Sequence, residues 1–288
     1  MQGTIDGFSY GLVTPVVAFL MACLGGALGL RCTTRSMLAT RSWRAGWLAL
    51  GSAAIASGIW TMHFVAMMGF SVEETPIHYD RPTTFASLGV AIVMVGIGIF
   101  IVGHRGATGT ALFTGGTITG LGIASMHYLG MAGMRLNGKL EYNTLTVSAS
   151  VVIAVVAAIT ALWAAGQVRG FLWSVGASLV MGLAVSGMHY TGMAALSVHL
   201  HHTAGTPEGD SATSLLAPMM IGPLVFLCLA AVVVMFDPRM VSGKPDRPAV
   251  ERIPGIPAHP VGRHPGHRPQ RRPGHDRAHR SVRTPQSR

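Results

Sequence analysis

The sequence predicts an all-α fold: a polytopic membrane helical bundle of seven transmembrane helices, built as three parallel two-helix repeats plus one extra helix. Half of the 288 residues are hydrophobic and only 11% are charged, against about a quarter in a soluble domain. Seven apolar runs reach roughly the 20 helical residues needed to cross a hydrocarbon core. A Met-His string recurs near the end of every second run until the last.

The first run, Phe8 to Leu30, is read as a true span and not a cleaved leader. The residues before it hold Asp6 but no Lys or Arg, and it is long enough to cross the bilayer. The second, Trp47 to Phe70, carries Met62-His63-Phe64-Val65-Ala66-Met67. Thr84 to Val102 is the third. The fourth, Ala111 to Met131, ends in Met126-His127-Tyr128-Leu129-Gly130-Met131. Leu145 to Ala165 is the fifth. The sixth, Phe171 to Ala195, carries Met188-His189-Tyr190-Thr191-Gly192-Met193, and the seventh, Leu215 to Phe236, has no copy. Gly25 with Gly29, and Gly116 with Gly120, have the spacing that lets membrane helices approach closely. Cys23, Cys32 and Cys228 have neither zinc-site spacing nor an obvious disulfide pairing.

Residues 1–237 form the membrane domain. The remainder, 238–288, holds twelve of the Arg and Lys residues and ten of the sixteen prolines, a composition that predicts a disordered basic tail. Arg31, Arg35, Arg41 and Arg44 in the connection after the first span, Arg105 in the third-to-fourth, Arg169 in the fifth-to-sixth and this tail fall on one side of the spans, whereas most acidic loop residues fall on the other. Basic residues favour the cytoplasmic side. The amino terminus is therefore expected outside and the tail inside, across an inner membrane. The tail arginines read as a solvated positive-inside segment or as a contact with anionic lipid, and its scattered histidines are a weak metal signal.

His63, His127 and His189 are separated by 64 and 62 residues, so the repeat unit is a pair of spans in one orientation. All three motif helices run outward, which places the histidines at one depth near the outer face. Met67, Met131 and Met193 stand four residues on, one turn along the same face. Met62, Met126 and Met188 lie about 100° around the helix. Thioether with imidazole suits copper, especially Cu(I). All eleven Asp and Glu residues lie outside the spans, and neutral ligands in low dielectric favour a singly charged ion. A plainer reading has methionine filling gaps and histidine bonding a neighbour, and duplication alone can copy a functionless pattern. Three copies at one depth weigh toward ligands. Tyr128 and Tyr190 read equally as groups that orient the imidazoles or as interfacial anchors.

The string Met188-His189-Tyr190-Thr191 and its triplication on alternate spans resemble the MHYT domain of bacterial integral-membrane sensors over about residues 8 to 236. The resemblance implies a module in a bacterial cell membrane that holds copper through these Met, His and Tyr residues and detects O2, CO or NO. The first copy has Phe64 in place of Tyr, and Val65 and Leu129 stand where the third copy has Thr191. Many relatives continue into cyclic-di-GMP or kinase domains. No such domain is read after Phe236, so a separate cytoplasmic signalling protein is the expected partner.

Among function classes, a copper-dependent sensor leads. A copper-handling transporter or channel is the alternative, but its ligands should span the membrane and these stop at one depth. An enzyme is not expected, because no paired carboxylates or Ser/His/Asp set is present. The lipid bilayer is the expected surrounding, and no nucleic-acid partner is expected. Outside the sixth span, His199, His201 and His202 read as a copper relay or as an ordinary surface loop. Whether one metal site or three are formed stays open at this stage.

Overall fold

The computed structural model describes residues 3–7, 9–167, 171–200 and 210–237. Arg169, His201, His202 and the tail 238–288 lie outside the described residues. The helices are α1 (Val13–Leu38), α2 (Arg41–Met68), α3 (Arg81–Arg105), α4 (Gly109–Ala132), α5 (Thr144–Gln167), α6 (Phe171–Ala194) and α7 (Ala212–Met235). Six are long and apolar enough to cross a membrane. The remaining one, α4, is uncharged and equally long, but its glycines and threonines lower its mean hydropathy. The chain is a multi-pass membrane protein.

The helices form three hairpins, α1–α2, α3–α4 and α5–α6, and α6 returns to α1 to close the ring. Helix α7 lies against α1 and α2. Glycine sets the close approaches. A Cβ on Gly25 would lie 2.7 Å from the Gly58 Cα, and one on Gly120 would lie 2.5 Å from the Val155 Cα. The expected small-residue contacts are therefore real, Gly25 and Gly29 meeting α2 and Gly116 and Gly120 meeting α5. Gly58→Leu should lower stability by about 1–3 kcal/mol or more, because the facing atoms are backbone and cannot repack. Gly187→Ala, which meets nothing, should be neutral or slightly stabilising through helix propensity. Thermal unfolding in one detergent compares the two.

Helix ends depart from the apolar runs because capping, not hydropathy, ends a helix. Gly11, with φ of 59°, precedes α1, which starts at Val13 and runs through Arg31 and Arg35 to Leu38. Those arginines sit on helix α1, not in the connection, which is only residues 39–40. Arg35 is buried, bonded through Nε to Asp237 at 2.5 Å, and its guanidinium lies 5.3 Å from the Trp47 ring centre. This pins the carboxyl end of α7 to the first hairpin.

Asp80 caps α3, accepting from the Thr83 backbone N–H at 2.9 Å. Hydrogen bonds from Thr83 hold the Asp80 carboxyl below the usual aspartate range. A depressed folded-state pKa contributes stability above the unfolded value and loses it as pH falls through the folded one. Asp80→Asn, which still caps, should match wild type at neutral pH and lose less stability on acidification; an acid titration followed by circular dichroism checks this.

Short strands join the loops at the motif end, a feature the all-α reading did not contain. β1 (Ile5–Asp6) pairs with β2 (Ser71–Val72), and β3 (His78–Tyr79) pairs with both β4 (Met134–Arg135) and β7 (Asp210–Ser211). β5 (Gly138–Tyr142) pairs with β6 (Leu196–Leu200). The strands are tied across long sequence separations, which local periodicity does not reveal. Together they link the amino terminus with the α2–α3, α4–α5 and α6–α7 connections.

Candidate metal centre

Each motif histidine stands five residues before the end of its helix, about 7.5 Å below that end at 1.5 Å per residue. Matching depth and inward facing bring all three together. Each is 1% exposed. The Nδ1 atoms form a near-equilateral triangle: 3.1 Å from His63 to His189, 3.2 Å from His127 to His63 and 3.3 Å from His189 to His127.

Hydrogen bonds among the three rings do not satisfy this triangle. A neutral imidazole has one N–H and one lone pair, so an Nδ1 that donates has nothing left to accept with. Three lone pairs pointed at one point suit a cation. Imidazole nitrogens bound at about 2.0 Å with tetrahedral angles lie about 3.3 Å apart, which the observed edges match. No carboxylate joins the cluster among the described residues. The residues fit a small metal ion held by three imidazoles, with a fourth position left for another ligand. Separate sites on each helix do not fit, since the nitrogens are already in contact.

Two features hold the rings. The aromatic residue after each histidine sits edge-on to it: Phe64 at 4.6 Å from His63, Tyr128 at 4.8 Å from His127 and Tyr190 at 5.0 Å from His189, between ring centres. Phe64 thus does the same packing as its tyrosine counterparts, which accounts for its presence in the first copy. The Tyr128 hydroxyl bonds the Ser150 hydroxyl on α5 at 2.6 Å and so ties two helices, while its ring packs against the His127 imidazole. The second feature was not read from the sequence. Gly130 and Gly192 lie against the Nε2 edges of His63 and His127, where a Cβ would collide with the ring. The recurring small residue three places after each histidine, Ala66, Gly130 and Gly192, was the available signal. The Nε2 atoms of His63 and His127 are buried and have no hydrogen-bond partner among the described residues.

The motif methionines surround the cluster. Met62, Met67, Met126, Met131 and Met188 are buried in the main core, and Met193 is partly buried against it. Met67, Met131 and Met193 stand one turn nearer the carboxyl ends of their helices, and helical side chains lean back over the preceding turn, so they cover the histidines from the side of the short strands. One turn towards the amino ends of the same helices, Ile59, Ile123 and Val185 line a cavity of about 30 Å³ whose walls are almost wholly apolar. That is room for one or two water-sized molecules. His199 lies apart from this arrangement in β6, with its Nε2 3.3 Å from the Glu141 carboxylate. The three cysteines are free.

The fold and site define a multi-helix membrane module with a buried cluster of three histidines. Residues 57–115 and 120–178 match the MHYT family, described as a bacterial signalling protein N-terminal repeat, and over this stretch the chain belongs to that family. The third motif, at His189, lies beyond the matched residues, yet the geometry makes it equivalent to the other two.

The chain is 35% identical over 238 residues to the bifunctional diguanylate cyclase/cyclic di-GMP phosphodiesterase MucR of Pseudomonas aeruginosa, covering 81% of this chain and 35% of that protein. It is 34% identical to the cyclic di-GMP phosphodiesterase NbdA of the same organism, over 72% of this chain and 27% of that protein. It is 30% identical to signaling protein YkoW of Bacillus subtilis, over 66% and 24%. The matches thus span about a third or less of these relatives. No solved structure matches the chain.

Proposed function

We propose that this chain is a copper-dependent sensor of a diatomic gas or of redox state in the bacterial inner membrane. The observation that carries the reading is the Nδ1 triangle. His63, His127 and His189 would hold one Cu(I). Bound there, the ion supplies a soft, redox-active centre with affinity for O2, CO or NO. Neutral imidazoles and the absence of membrane carboxylates favour the singly charged ion over zinc. Met67, Met131 and Met193 cover the centre and offer a fourth ligand, while Met62, Met126 and Met188 pack its sides. The inward cavity between Ile59, Ile123 and Val185 gives an apolar diatomic a dry place beside the centre.

The response begins with packing. The three histidines belong to α2, α4 and α6, so a change in what they hold biases how these helices meet. Helix α7 rests on α1 and α2, and the Arg35–Asp237 pair ties its inner end to α1. The movement would leave on the cytoplasmic side, with the amino terminus outside. The names of MucR and NbdA support a cytoplasmic partner that makes or breaks cyclic di-GMP. A copper path across the bilayer is less well supported, because the histidines stand at one depth.

The test is gas binding by the purified protein loaded anaerobically with Cu(I). CO should produce a C–O infrared band only when copper and all three histidines are present. Ile123→Trp, which fills the cavity, should weaken that band at least tenfold while copper remains bound. Copper retention with no response to CO, NO or O2 would sink the sensory reading.

A further inference from the structure

The third hairpin carries an open groove of about 830 Å³ between α5 and α6. Its lining is the repeat counterpart of the seat that α7 occupies on the first hairpin. Leu227, Ala230 and Val234 of α7 pack on Leu24, Leu28 and Cys32 of α1 and on Trp47, Leu50 and Ala54 of α2. The step from His63 to His189 is 126 residues. It carries Trp47, Leu50 and Ala54 onto Trp173, Gly176 and Val180.

The other wall follows from helix contacts. Gly120 lies against Val155, and its repeat mate Gly182 lies against Cys23, so Val155 and Cys23 correspond. The step from Cys23 to Val155, 132 residues, carries Leu24, Leu28 and Cys32 onto Val156, Thr160 and Ala164. All six counterparts line the groove.

We infer that this groove seats α7 of a second copy of the chain. The groove is a helix seat whose lining is cut back at Thr160, Gly176 and Ala164 relative to Leu28, Leu50 and Cys32. It therefore takes a bulkier ridge than the one α7 turns inward. Such a ridge lies on the outer side of α7, where Val225, Leu229, Val232 and Phe236 are all more than half exposed. Depth and direction agree as well. Two copies in one membrane share an orientation, and Trp173 stands at the level of Trp47, where α7 already packs. The contact is heterologous, groove on one side and α7 on the other, so it propagates beyond a dimer.

The native Cys228 on the exposed side of α7 supplies one thiol for the test. In membranes, a short bismaleimide should link Thr160→Cys chains into dimers and longer ladders, and Cys228→Ala in the same chain should abolish them. Ile97→Cys, the corresponding exposed position of the second hairpin, should give no ladder. Energy transfer between labelled copies in bilayers should fall at least severalfold in Gly176→Trp, which fills the groove. Equal ladders at both positions, products that survive Cys228→Ala, or no transfer between wild-type copies would overturn the inference and leave lipid as the occupant.

Discussion

Replacing any one of His63, His127 or His189 by Ala should abolish copper binding altogether, not reduce it by a third. The three Nδ1 atoms converge on one point within 3.1–3.3 Å of each other, so each imidazole belongs to the same site. Loss of an outer-shell partner alone costs about 10–100-fold in metal affinity, and loss of one of three ligands should exceed the upper end. Copper per chain after anaerobic reconstitution and dialysis reads this directly: about one in wild type, and near zero in each single variant. One-third loss per variant would mean separate sites. Zinc retained in preference to Cu(I) would keep the geometry and refute the choice of metal.

The second large effect is expected at glycine. Gly192→Ala places a methyl group where the Nε2 edge of His127 now lies, and Gly130→Ala does the same to His63. Neither ring can yield freely, since each is held between its aromatic neighbour and the other two imidazoles. Overpacking of this kind costs about 1–3 kcal/mol, and the displaced nitrogen should leave the triangle. Gly192→Ala should therefore lower Cu(I) affinity at least tenfold, although it removes no ligand. Ala66→Gly, the converse change in the first copy, should leave affinity within a few-fold. Competition with a chromophoric Cu(I) chelator measures both, and an unaltered affinity in Gly192→Ala would show that the rings have more freedom than the packing allows.

The parts legible in the sequence were those that repeat or run long. Apolar length marked all seven runs, and the spacing of His63, His127 and His189 set the helix pairs and the common depth, while convergence hung on how the even spans pack. Gly25 and Gly116 were readable as contact residues because small side chains at helical spacing have one main use in a membrane. The pieces that escaped depend on tertiary neighbours. Arg35 read as a loop charge, whereas it lies within α1 and is buried against Asp237, 202 residues away. Within α4 alone nothing distinguishes Gly130 from the other glycines; it stands out only when the three copies are aligned and Ala66, Gly130 and Gly192 share one place. The Tyr128 hydroxyl was open between two roles because its partner, Ser150, sits on another helix. The short strands join loops far apart in the chain, and the number of metal sites was undecided because spacing along a helix does not say how closely three helices meet.

The most direct measurement of the central claim is the copper K-edge X-ray absorption spectrum of the Cu(I)-loaded protein in membranes. A shared site predicts three imidazole nitrogens at about 2.0 Å around a single copper, with the imidazole scattering pattern lost in the His63, His127 and His189 triple alanine variant. A spectrum dominated by sulfur with fewer than two imidazoles, or one unchanged in the triple variant, would contradict it.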